Sequence, residues 1–65
     1  MNTAKFVNEV VVKDPDFFGD VTIEIYKHEN GGMFGIESSY LDIQNEKYPV
    51  IPDPYNDGDY VELLD

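Results

Sequence analysis

The stretch Val21–Glu37, "VTIEIYKHENGGMFGIE", decides the fold. Val21, Ile23 and Ile25 alternate with Thr22, Glu24, Tyr26 and His28. That period of two is the mark of a half-buried β-strand, read with the valine–isoleucine face inward. Asn30–Gly31 then supplies the positive φ angles of a hairpin turn. Phe34 and Ile36 resume the alternation in a second strand, with Gly35 as a candidate bulge. On this parity Glu24, Tyr26 and His28 point outward, and His28, between Lys27 and Glu29, reads as a solvated hairpin residue.

Working outward, "KFVNEVVVKD" is β-branched and stops at the Asp14–Pro15 turn signal, so it reads as a preceding strand. Its run Val10–Val12 puts apolar side chains on both faces and leaves the register open. Downstream, "SSYLDIQNEKYP" breaks the alternation. Ser39 followed by Asp42 resembles a capping box, and Pro49 closes the segment. A helix of about two turns over 39–46 is expected, anchored by Leu41 and Ile43 and dependent on the sheet for support. "YPVIP" reads as an edge segment, because proline cannot donate to a ladder. "DYVELL" reads as a last strand with Val61 and Leu63 inward. The expected class is α+β: a single domain over 1–65 with a mainly antiparallel sheet of four to five short strands and one short helix.

Two loops share a pattern. "DPDFFGDVTIE" from Asp14 and "DPYNDGDYVEL" from Asp53 both read Asp-Pro, three residues, Gly-Asp, then a strand. Asp opens a turn by accepting a hydrogen bond from its own downstream backbone, Pro presets φ, and Gly takes a positive φ. An EF-hand is excluded for the second loop. Position 3 would be Tyr55, and position 12, where a bidentate Glu belongs, is Leu64. Weak divalent binding by the clustered carboxylates is the residual metal reading.

Charge is the strongest global feature. Fourteen Asp and Glu face four Lys and no Arg, for a formal net charge of −10. With 42% hydrophobic residues the chain can fold, so this charge sits on a folded body. Direct nucleic-acid binding is argued against, because phosphate contacts need Lys and Arg. The absence of cysteine, of an apolar run fit for a signal peptide and of any spanning segment leads to the expectation of a cytoplasmic protein without membrane contact. No cofactor motif is present. With one histidine, no cysteine nucleophile, no nucleophile elbow and no phosphate loop, catalysis is not expected.

What remains is recognition by an acidic, aromatic surface that docks on a basic protein partner. The candidate contact residues are Asp14, Asp16, Asp20, Glu24, Tyr26, Asp53, Tyr55, Asp57, Asp59, Tyr60 and Glu62. A compact chain of this length has a diameter of roughly 28 Å, over which duplex DNA carries about 16 charges. In size and charge the chain resembles the small acidic proteins of phages and mobile elements that inhibit nucleases, restriction or CRISPR systems by imitating DNA. That resemblance implies a decoy occupying a nucleic-acid-binding groove. The alternative is an assembly module that self-associates through the edge of the last strand or through the aromatic pair Phe17–Phe18, with charge serving solubility.

Overall fold

The computed structural model describes residues 1–13, 16 and 19–65. Asp14, Pro15 and the Phe17–Phe18 pair lie outside the described residues, and with them the expectations placed on them. Five strands and one helix follow in the order β1 (Asn2–Lys13), β2 (Asp20–His28), β3 (Met33–Glu37), α1 (Ser38–Gln44), β4 (Val50–Pro52) and β5 (Tyr60–Leu64). They form one sheet in the order β3-β2-β1-β5-β4. The α+β class and the mostly antiparallel sheet are as the sequence suggests. One pairing, β1 with β5, is parallel. The last strand is therefore interior, and the edges are β3 and the short, proline-bearing β4. The body measures 36 × 24 × 22 Å.

The hairpin in the deciding stretch forms as read, with one refinement. Gly31 takes a positive φ of 95°, whereas Asn30 does not. Asn30 instead accepts the Gly32 N–H through its side-chain oxygen at 2.7 Å. The β2–β3 register runs without interruption through Ile25↔Gly35, so Gly35 is no bulge. The register shift lies in β1, between Phe6 and Asn8. Gly35 has another purpose: a Cβ there would come 2.7 Å from Ile23 Cγ2 and 3.3 Å from Ile25 Cδ1. The glycine makes room for the two isoleucines on its own face.

That isoleucine face, expected to be the core, is not the one the fold buries most deeply. The buried cluster is Ala4, Tyr26, Ile51, Val61 and Leu63, flanked by Phe34, Ile36 and Leu41. Tyr26 and His28 point into it, whereas Val21, Ile23 and Ile25 are only half-buried. Alternation separates two faces of a strand but does not say which one a neighbour covers. Here α1 and the β4–β5 loop close over the aromatic side. Tyr26 packs edge-to-face on Phe6 at 5.7 Å and stacks on Phe34 at 6.1 Å between ring centroids. Val61 and Leu63 point inward as expected.

The helix is shorter than its sequence pattern. Glu37 is the N-cap with no side-chain cap bond, so no Ser39–Asp42 box forms. It ends at Asn45, whose φ of 51° is left-handed and whose N–H reaches the Leu41 carbonyl at 3.2 Å. Asparagine tolerates that conformation better than other residues with a Cβ. Leu41 packs on the core, but Ile43 is 83% exposed and anchors nothing. In so short a helix one side chain meets the sheet, and a residue two positions on points away from it.

Candidate functional site: an acidic groove beside the helix

Two groups of carboxylates separate by environment. The first is a single residue. Asp53 is buried, where an unpaired charge would be costly. Its Oδ2 accepts hydrogen bonds from Asn2 Nδ2 at 2.7 Å, His28 Nε2 at 2.8 Å and Asn56 Nδ2 at 3.2 Å. Its Oδ1 accepts the Tyr55 N–H at 2.8 Å, which is the Asp-opened turn read from the sequence. Gly58 then takes a φ of 80° and returns the chain to β5. His28 Nδ1 accepts the Asn30 N–H at 3.0 Å, so the ring proton sits on Nε2 and is donated to Asp53. The four donors hold the Asp53 carboxyl well below the usual carboxylate range, against the upward push of burial.

Asp53 therefore ties the start of β1, the end of β2 and the β4–β5 loop together. It is not a contact residue on an acidic surface, and His28, 2% exposed, is not a solvated hairpin residue. Neither has a free polar atom to offer a substrate or a partner. Tyr55 roofs this hub. Its ring lies 5.2 Å from the His28 ring and 6.3 Å from Phe34, and its hydroxyl donates to the Met33 carbonyl.

The second group lies along α1 in two shallow hollows. One, of about 450 Å³, opens between the start of β2 and the start of the helix and carries Asp20, Glu37 and Asp42. The other, of about 610 Å³, is lined by Leu41 and Tyr26 and carries Glu24, Asp42, Glu46 and Asp65, with Lys47 as its one cation. Asp42 lines both, and the two neighbouring hollows are together called the acidic groove. Its field is visible on Tyr26: burial raises the phenol pKa most, and the charges of Glu24 and Asp65 raise it further. Among the described residues, with Asp16 left aside, no lysine comes within ion-pair distance of a carboxylate, and His28–Asp53 is the one pair formed. No three His, Asp or Glu side chains among the described residues converge on a point that could hold a metal ion.

The expected contact residues therefore divide. Asp20 and Glu24 belong to the groove. Tyr26 lies beneath it as core rather than surface, because its ring fills the space between Phe6 and Phe34. Asp57 and Asp59 are exposed in the β4–β5 loop, where Asp59 Oδ1 also accepts the Tyr60 N–H at 2.8 Å. Tyr60 is exposed and Glu62 half-buried on β5, both on the face away from Val61 and Leu63. Asp16 is exposed in the β1–β2 loop. Glu37 ends β3 and Asp65 follows β5, whereas Asp42 and Glu46, on and just after α1, have no strand parity to read; their one signal in the sequence is an acidic helical segment with a single nearby lysine.

No protein-family model, no curated protein and no solved structure matches this chain. No described helix is long and apolar enough to cross a membrane.

Proposed function

We propose that this chain is a non-enzymatic binding domain of the cytoplasm whose acidic groove docks on a basic protein, acting as a decoy for nucleic acid on a nucleic-acid-binding protein or nuclease. The observation that carries the reading is the groove itself. Six carboxylates, Asp20, Glu24, Glu37, Asp42, Glu46 and Asp65, line two adjoining hollows that hold one lysine. Such a field attracts a basic partner at long range and raises its association rate about 10- to 1,000-fold. Scale supports the same reading. Duplex DNA as long as the 36 Å body carries about 21 charges at one per 1.7 Å, and the net charge of −10 is about half of that.

The test is competition. The chain is titrated against labelled duplex DNA bound to a panel of basic nucleases and DNA-binding proteins at low ionic strength. The wild type should displace DNA from at least one of them, with a steep loss of effect as salt rises. The D42K/E46K variant, which reverses charge within the groove, should lose displacement, while D57K/D59K in the β4–β5 loop should retain it. Failure to displace at the lowest salt, or equal loss in both variants, would overturn the groove as the docking site.

A further inference from the structure

β1 is twelve residues long, yet its two neighbours cover it unequally. β2 pairs along Ala4–Lys13, whereas β5 pairs only along Asn2–Lys5. Among the described residues, no strand pairs with the side of β1 opposite β2 from Asn8 to Lys13. This open length reads "NEVVVK", and Val10, Val11 and Val12 are all exposed, Val11 at 60%. Long β-branched edges attract another strand, and natural edges are usually blunted by proline or by charge pointing inward. The register shift between Phe6 and Asn8 lies before the open length begins.

We propose that this edge is a dimer interface, on which a second copy of the chain lays its own Asn8–Lys13 antiparallel across a two-fold axis. Charge complementarity selects the occupant and the register. The chain carries −10 overall, but the open segment holds one Glu and one Lys and is locally neutral. In a two-fold antiparallel pair each residue k at the axis faces itself, so the register follows from the choice of k. Centred on Val11, Val10 faces Val12 of the second copy and Glu9 faces Lys13 of the second copy, twice. Centred on Val10 or Val12, neither charge meets its opposite.

The fold supplies a second reason for that register. Within the chain Glu9 stands directly opposite Glu24 on β2, a like-charge pairing that destabilises a sheet. Lys13 of the second copy would flank Glu9 on its other side and compensate it. Lys13 itself stands opposite Asp20, so each ammonium would sit between two carboxylates on one face of the joined sheet. On the other face Val10 and Val12 extend the Val21–Ile23–Ile25 strip into that of the second copy, covering apolar surface that the single chain leaves half-exposed.

This edge adjoins the acidic groove, whose Asp20 and Glu24 stand opposite Lys13 and Glu9, but its test needs no partner. Sedimentation velocity over a concentration series at 0.15 M salt, with a Debye length of about 8 Å, screens the distant repulsion more than the contact pairs. The wild type should associate as a dimer. E9K and K13E, each of which makes both cross-axis pairs like-charged, should weaken association about tenfold or more, and the charge-swapped E9K/K13E should restore it. Circular dichroism confirms that each variant is folded. A wild type that stays monomeric at millimolar concentration, or a dimer indifferent to the two single reversals, would overturn the proposal.

Discussion

His28 Nε2 lies 2.8 Å from Asp53 Oδ2, and this buried contact joins the end of β2 to the loop that leads into β5. A chain of this size has a thin core, so a polar contact across 25 residues carries much of the tertiary specification. The polar groups of both side chains are spoken for. Asn30 occupies the second ring nitrogen, and Asn2, Tyr55 and Asn56 complete the carboxylate. Because no polar side-chain atom is left buried and unpaired among the described residues, the hub rigidifies rather than frustrates the fold.

Replacement of Asp53 by Asn is expected to lower the melting temperature clearly while leaving the fold class unchanged. The amide keeps one acceptor oxygen but points an NH₂ at groups that are themselves donors. The pH dependence follows from the same bonds. The folded carboxyl lies below its ordinary value of 3.8, so it binds fewer protons folded than unfolded. Its contribution is complete above that value and is lost as pH falls through it toward the folded pKa. Urea melts between pH 6 and pH 3 should show this acid loss in the wild type and a shallower loss in D53N. Identical acid profiles would contradict the assignment.

Leu63→Ala is expected to cost about 2–5 kcal/mol, since the side chain is almost wholly enclosed and its loss leaves a cavity. A domain of this length has a total stability of about 3–10 kcal/mol, so the variant should lose a large share of it. Ile43→Ala, at the position the helical pattern marks as an anchor, should change stability by less than about 0.5 kcal/mol. Equilibrium denaturation of the two variants side by side checks the assignment of the core.

These contrasts mark what local sequence can carry. The hairpin at Asn30–Gly31, the inward Val61 and Leu63, the proline-bearing edge and the Asp53 turn are legible because each depends on neighbours within a few residues. The covered face of β2 is not. Tyr26 and His28 look polar in a strand, and only the return of Asp53 from the other end of the chain makes His28 a core residue. The parallel β1–β5 pairing is illegible for the same reason, being set by contacts 59 residues apart, as in Asn2↔Val61. Of the hollows beside α1, strand parity in the sequence reaches Asp20 and Glu24, whereas Asp42 and Glu46 join them only through the helix packing on β2 and β3.

Gly35→Ala should destabilise by about 1 kcal/mol. A Cβ there would press on Ile23 Cγ2, which branches directly from Cβ and cannot swing aside without a rotamer change. The loss of chain freedom in the unfolded state offsets part of that cost, by about 0.4–1 kcal/mol. In an Ile23→Ala background the closest contact is gone and only the milder approach to the flexible end of Ile25 remains, so the same glycine substitution should cost clearly less. A double-mutant cycle measured by urea denaturation isolates the contact. Additive effects would show that Gly35 is not there to admit Ile23.

The acidic groove can be probed without knowing its partner, through Tyr26 beneath it. Its phenol pKa is raised from 10.0 by burial first, then by Glu24 and Asp65. Negative neighbours oppose ionisation to phenolate, so removing one must lower the pKa, while the burial contribution must stay. Glu24→Gln is therefore expected to bring the Tyr26 titration part of the way back toward 10.0 but not to reach it. Added salt should lower the wild-type value in the same sense by screening the charges. Asp57→Asn, in the β4–β5 loop, should leave it unmoved. NMR titration with ring-labelled tyrosine resolves Tyr26 from the other four tyrosines in the chain. A Tyr26 pKa that ignores both Glu24→Gln and salt would mean that the groove holds carboxylates but no concentrated field, and the electrostatic basis for docking a basic protein there would be gone.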